Sequence, residues 1–193
     1  MDTNEKYTCF RDIPRFTPSP TYCVHVSWSY LEKQLSEWES YPGGLELEPD
    51  FQRGHVWTEL QQTKFVEYGL RGGLEQSGSM ILFNCSDWGD QMSEPIQCVD
   101  GLQRLTAVRR FLANEIKAFG SYFREFEDRL RVIEPRFQFL VNNLPDRAAV
   151  LKWYLELNSG GTVHSDEEIA RVGRLLEEER ARFDNSARPG VSP

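Results

Sequence analysis

Short apolar runs and segments of helical period succeed one another along the chain, with turn-forming residues between them. Residues 22–28, Tyr-Cys-Val-His-Val-Ser-Trp, are β-branched and aromatic, as a strand requires. Ser29 with Glu32 then reads as a capping box that opens a helix toward Trp38. Pro42-Gly43-Gly44 ends it, and residues 45–47 lead into Pro49-Asp50-Phe51-Gln52-Arg53-Gly54, a polar loop with turn formers at both ends. Thr58 with Gln61 is a second capping box. It starts a helix whose apolar residues are Leu60, Phe65, Val66 and Leu70, and Gly72-Gly73 stops it.

Residues 80–83 and 96–99 predict two strands joined by an exposed excursion. Asp100-Gly101 follows the second directly. Leu105, Val108, Leu112 and Ile116 then recur at helical spacing, which sets Arg104 near a helix N-terminus and off its buried stripe. Beyond Gly120 the pattern predicts a helix over 121–131, a strand over 137–141 and a helix over 146–157 opened after Pro145. Asn158-Ser159-Gly160-Gly161-Thr162 reads as a glycine C-cap and hinge, with ligand contact as the alternative. Ser165 and Glu168 form a third capping box for a charged helix running to about Phe183. Residues 1–20, with Pro14, Pro18 and Pro20, read as an arm, 21–184 as a single domain with a helical C-terminal part, and 185–193 as a tail.

Composition narrows the function classes. With 39% hydrophobic, 12% aromatic and 27% charged residues, the chain has the make-up of a globular protein. Its formal net charge is −8, with 11 basic against 17 acidic residues up to Gly120 and 11 against 13 beyond. Tight sequence-independent DNA binding needs lysines and arginines in excess, so this chain alone is not built for it. The glutamates 177–179, with Arg180 and Arg182, read as a solvated helix face.

Cys9, Cys23, Cys85 and Cys98 form no C-x-x-C pair and no apolar N-terminal run suggests secretion or membrane insertion, so the expectation is a cytoplasmic protein with reduced thiols. His25, His55 and His164 fall in no zinc pattern, and no G-x-S-x-G is present.

The chemistry therefore concentrates in the two polar turns. A strand that delivers its last residues onto a helix N-terminus presents backbone N–H groups and the positive end of the helix dipole, which suits a phosphate. Arg104 adds a cation, Gln103 adds donors and an acceptor, and Gly101 lets a ligand approach the backbone. Asp100 repels a phosphate unless a metal, a hydroxyl or an arginine stands between, which makes it the candidate base or Mg²⁺ ligand. Arg53 is the second candidate guanidinium, and Phe51 and Trp57 either stack a base or fill space. A ligand-free reading stands beside this one. Asp100 and Gln103 also fit an N-cap and N3 pair, and Arg53 and Arg104 also fit ion pairs with Asp50 or Asp100.

Pro49-Asp50-Phe51-Gln52-Arg53-Gly54-His55-Val56-Trp57 followed by Val99-Asp100-Gly101-Leu102-Gln103-Arg104-Leu105-Thr106-Ala107 resembles the uncharacterised-domain family found at the N-terminus of GmrSD-type modification-dependent restriction enzymes. Leu157-Asn158-Ser159-Gly160-Gly161-Thr162 is similar to its third, weaker signature, so the resemblance spans residues 45–169. It implies an α+β fold of the ParB/sulfiredoxin-like kind, a small mixed sheet surrounded by helices. It further implies an Asp-Gly-Gln-Gln-Arg turn that binds a nucleoside triphosphate with Mg²⁺ and supports its hydrolysis or phosphoryl transfer. Asp100, Gly101, Gln103 and Arg104 carry over from that turn, Gln52 and Arg53 from the first motif, and Asn158 as a secondary contact.

Leu102 stands where the family has a second glutamine, Glu156 where an arginine is common and His164 where an apolar residue is common. The separate His-Asn-His nuclease domain of such enzymes has no counterpart in these 193 residues. The implied setting is phage DNA modification or phage defence, with a nucleotide, modified DNA or a separate nuclease chain as partner and no membrane. The competing expectation is a non-catalytic DNA- or protein-recognition module with a degenerate nucleotide site.

Overall fold

A computed structural model describes residues 6–13, 20–52, 54, 56–159 and 166–186. In chain order its main elements are β1 (Tyr22–Ser27), α1 (Leu31–Glu39), β2 (Leu45–Glu46), α2 (Glu59–Leu70), β3 (Met80–Asn84), β4 (Ile96–Asp100), α3 (Leu102–Leu112), β5 (Arg136–Asn142), α4 (Arg147–Ser159) and α5 (Asp166–Ser186). The fold is α+β. Among the described residues the strands form one mixed sheet in the order β1-β5-β3-β4-β2. β1 is antiparallel to β5 and β3 to β4, whereas β3 runs parallel to β5 and β2 parallel to β4.

Period-2 alternation assigns the two faces of the sheet. Val26, Ile81, Phe83, Ile96, Cys98, Phe137, Phe139 and Val141 share one buried cluster with apolar residues of α1, α2 and α3. Trp38 of α1 lies at its centre, with ring centroids 4.9 Å from Phe83, 5.4 Å from Phe139 and 5.6 Å from Trp88. Truncating so enclosed an aromatic ring costs about 3–5 kcal/mol. Val99, with Leu82 beside it, belongs to a second cluster that contains Phe51 and the apolar faces of α4 and α5. The sheet is thus layered between α1–α3 on one face and the α4–α5 pair on the other.

The capping box at Thr58 and Gln61 forms with both of its reciprocal hydrogen bonds. Three other expectations are corrected. Ser29 does not cap α1: a 3-10 turn over Trp28–Tyr30 comes first, tied down where Trp28 N–H donates to the Pro135 carbonyl at 2.9 Å. Residues 121–131 are not a helix but contain two 3-10 turns, Phe123–Glu125 and Leu130–Val132. Phe123 and Phe126 both pack edge-on against Phe111, and Asn114 Oδ1 accepts from Arg124 N–H, so side chains at and just beyond the end of α3 hold this segment in place of a helical ladder. Asp146 lies just outside α4, where its carboxylate accepts from Ala149 N–H at 2.8 Å as an N-cap does. No helix among the described residues is long and apolar enough to cross a membrane.

Candidate functional site

Register brings the two polar turns side by side. β2 lies at the sheet edge with Leu45 opposite Ile96 and Glu46 opposite Gln97, and Gln97 Nε2 donates to Glu46 Oε2 at 2.7 Å. Because β2 and β4 are parallel, the residues that follow each emerge at the same end of the sheet, and these residues are the two motifs. In open sheets that end is where ligands gather.

Two glutamines then tie one turn to the other. Gln52 Nε2 donates to the Cys98 carbonyl at 2.8 Å. Gln103 Oε1 accepts from both Val56 N–H (2.9 Å) and Trp57 N–H (3.1 Å), while its Nε2 donates to the Gly54 carbonyl at 3.2 Å. The carbonyl of Trp57 is held in turn by Gln62, a side chain only 2% exposed, whose own Oε1 accepts from Arg110. A loop of few apolar residues is thereby fixed through its backbone polar groups.

Asp100 ends β4 and is exposed, and Gly101 is the N-cap of α3 with φ +106. A Cβ at Gly101 would stand 2.6 Å from Ile81 Cδ1 and 3.2 Å from Ile81 Cα, so only glycine fits both the dihedral and the space. The first backbone bond of α3 runs from Leu105 N–H to the Gly101 carbonyl, and the N-cap has no side chain to serve the amides of residues 102–104. Asp100 and Gln103 are therefore not an N-cap and N3 pair. Asp100 Oδ2 instead accepts from Arg104 at 2.5 Å, one helical turn on. The Arg104 side chain is 20% exposed and that of Asp100 50%, so the pair sits at the surface of the turn, with the guanidinium the more enclosed member. Leu102 points into the core at 3% exposure.

The remaining candidates separate. Phe51 is fully buried, with its ring centroid 5.5 Å from that of Tyr154 in α4, which is the space-filling role and leaves no face for a base. Trp57 is half-buried, packed against the main core cluster with its ring centroid 5.4 Å from that of Phe65. Asn158 lies in α4 and donates back to the Tyr154 carbonyl at 2.6 Å. Arg53 and His55 lie outside the described residues, as do Gly160, Gly161, Thr162, His164 and Ser165.

Comparison with family models, curated proteins and solved structures gives no match. The chemistry of the site rests on its own geometry.

Sequence reasoning missed two residues that hold the first turn from the far side, Arg147 and Arg171, and placed Glu179, which braces the first of them, on a solvated face. Arg147 of α4 donates to Asp50 Oδ2 at 2.7 Å and lies 3.4 Å from Glu179 of α5. That hydrogen bond keeps the Asp50 carboxyl below the usual carboxylate range and raises Arg147 above its own. Arg171 of α5 donates to the carbonyls of Asp50 (2.6 Å), Phe51 (2.9 Å) and Gln52 (3.4 Å). No local pattern announces contacts spanning 119–121 positions.

A mostly apolar cavity of about 280 Å³ lies elsewhere, walled by Phe111, Phe119, Phe123 and Phe126, with Asp128 and Arg129 also in its lining. Among the described residues no group of three His, Cys, Asp or Glu side chains is arranged to hold a metal by itself. Mg²⁺ does not need one, because it is commonly bound by one or two carboxylates plus substrate phosphates and water. Asp100 fits that partial role.

Proposed function

We propose that this protein is a nucleotide-binding phosphohydrolase or phosphotransferase, with a ParB/sulfiredoxin-like sheet and its phosphate site at the Asp100-Gly101-Leu102-Gln103-Arg104 turn. The observation that carries the reading is the Asp100–Arg104 pair at the entrance of α3, where the N-cap Gly101 offers no side chain to the first-turn amides; Gly101 itself is buried against Ile81, so its role is to let helix and strand approach, not to admit a ligand. There the first-turn amides and the guanidinium attract a phosphate, and Asp100, once Arg104 turns to the phosphate, is free to orient an acceptor hydroxyl or water. Arg53, which follows Gln52 in the first motif, is proposed as the second guanidinium on the strength of that motif. Asp100 would hold Mg²⁺ together with the phosphates, and the ion would supply charge neutralisation at the transferring group. Trp57, half-buried beside the first turn, is the remaining candidate to stack a base. The proposed setting is the cytoplasm of a bacterial or phage-infected cell, in phage DNA modification or defence, with modified DNA as the acceptor or signal.

One observation favours the non-catalytic module instead. Gln52 and Gln103 spend their side-chain amides on the protein's own backbone, and Leu102 faces the core, which leaves fewer donors for a ligand. Titration calorimetry with ATP, GTP and CTP, with and without Mg²⁺, separates the two. The enzyme binds at least one, Arg104→Ala abolishes binding, and Asp100→Ala binds without turnover, with circular dichroism confirming that both variants fold. Binding of none by the wild-type protein sinks the enzyme.

A further inference from the structure

We infer that Arg171 is a positioning residue for the phosphate site, a latch through which helix α5 sets the conformation of the first turn. The inference rests on the proposed nucleotide site and adds its control. A guanidinium offers five donors in a planar fork, and here that fork spans three consecutive carbonyls, those of Asp50, Phe51 and Gln52. Consecutive carbonyls directed at one cation are not the pattern of a strand or a helix, where they alternate or align along the axis. Among the described residues the turn's own backbone contributes one short bond, Gln52 N–H to the Pro49 carbonyl at 2.8 Å. Its curvature is therefore set by Arg171 rather than by a ladder.

Arg147 pins the neighbouring Asp50 side chain and reaches toward Glu179, so α5 contacts the turn both directly and through α4. Below the turn, Phe51 is plugged into the cluster that contains Val172 and Leu176 of α5. The far end of the same turn is Gln52, tethered to Cys98 two residues before Asp100. Displacement of α5 would release the carbonyls at Arg171 while the Gln52 tether remains, and would tilt the Asp50–Gln52 backbone against β4 and the Asp100 turn that follows it. The site would then lose alignment without losing a residue that touches the ligand.

The test pairs hydrogen exchange with calorimetry on the full chain, using Mg²⁺-ATP, Mg²⁺-GTP and Mg²⁺-CTP as probes and Arg171→Ala, Arg171→Lys and Arg147→Ala as variants. Arg171→Ala should speed amide exchange across residues 50–57 and weaken binding of whichever nucleotide the wild type takes by about tenfold, because charge-assisted donors are lost from a locally weak segment. Exchange in β3, β4 and β5 should stay as it was. Arg171→Lys keeps the charge but not the fork and should recover only part of the affinity. Arg147→Ala frees the Asp50 side chain and the Glu179 carboxylate but leaves the three carbonyls held, and should speed exchange at 50–57 less than Arg171→Ala does; a larger effect than that of Arg171→Ala would move the latch to α4 and overturn the assignment. Unchanged exchange at 50–57 in Arg171→Ala overturns the latch whatever the nucleotide result. Faster exchange throughout the sheet makes Arg171 a general stability residue and also overturns it. Faster loop exchange with unchanged affinity overturns its role in positioning. If the wild type binds no nucleotide, the proposed function falls, and exchange alone then decides whether α5 holds the turn.

Discussion

Replacing Gly101 by alanine tests the close approach of α3's entrance to β3. The dihedral, φ +106, lies where an L-residue carries about 1–3 kcal/mol of backbone strain. The added methyl would also meet Ile81, at 2.6 Å from Cδ1 and 3.2 Å from both Cγ2 and Cα. Rotating the Ile81 side chain can relieve the clash with Cδ1. The Cα atom belongs to the strand backbone and cannot rotate away, so strand and helix must part by several tenths of an ångström. Overpacking of this kind costs about 1–3 kcal/mol. The two effects together predict a loss of about 2–6 kcal/mol, a large share of the roughly 5–15 kcal/mol that holds a typical domain folded. In urea, with a slope of about 1–3 kcal/mol per molar, the unfolding midpoint should fall by at least about 0.7 M.

Gly120→Ala is the control, because Gly120 also has positive φ (+82) but nothing within 4 Å of a built Cβ, so it reports the backbone effect alone. Adding Ile81→Val to Gly101→Ala removes the 2.6 Å clash and should recover part of the loss in a double-mutant cycle. Equal losses at Gly101 and Gly120, within about 0.5 kcal/mol, would refute the claim that packing against Ile81 demands glycine.

Two further outcomes follow from the hydrogen bonds. Gln103→Ala removes two acceptor bonds and one donor bond to the first loop and should cost about 1–3 kcal/mol, with exchange at Val56 and Trp57 faster by about tenfold. Gln103→Glu keeps the acceptors, loses the donor to Gly54 and should fall between; loop exchange unmoved in both would show that the tether is idle. Asp87 is held down to about 2, chiefly by the Ser93 hydroxyl and then by backbone amides. A folded-state value below the ordinary one means that its contribution is present above the usual carboxylate range and fades as pH falls from about 4 to 2. Carboxyl chemical shifts should show that midpoint, and Ser93→Ala should move it back up toward the ordinary value; an unmoved midpoint refutes the assigned cause.

What was legible in the sequence is what neighbours in sequence decide. The boundaries of β3, β4 and α2 and the start of α3 follow from apolar period, a capping box and Asp-Gly, all of which act within a few residues, whereas α3 stops at Leu112 and Ile116, expected on its stripe, lies beyond it. β2 escapes because two residues carry no period, and its existence depends on pairing with Ile96 and Gln97 some fifty positions away. Residues 121–131 mislead for a related reason: Phe123 and Phe126 have helical spacing, but both are drawn to Phe111, and the segment settles into 3-10 turns. The motifs at 49–53 and 99–104 stood out by composition, yet nothing local says that they meet. That depends on the parallel edge strand.

The same distinction divides the site's residues by the work they do. Glutamine in a polar motif suggests a ligand contact, because its amide can both donate and accept. Here Gln103 saturates its oxygen on two backbone amides and Gln52 directs its nitrogen at the Cys98 carbonyl, so each stabilises the shape of the turn. Arg104 differs: its partner is one oxygen of an exposed aspartate, and exchanging that oxygen for a phosphate oxygen keeps the guanidinium satisfied. On the proposed reading, affinity therefore resides in backbone amides and guanidinium groups, while the glutamines act through geometry. Substituting a glutamine should then loosen the loop in the free protein, whereas substituting Arg104 should leave the loop intact and remove the ligand.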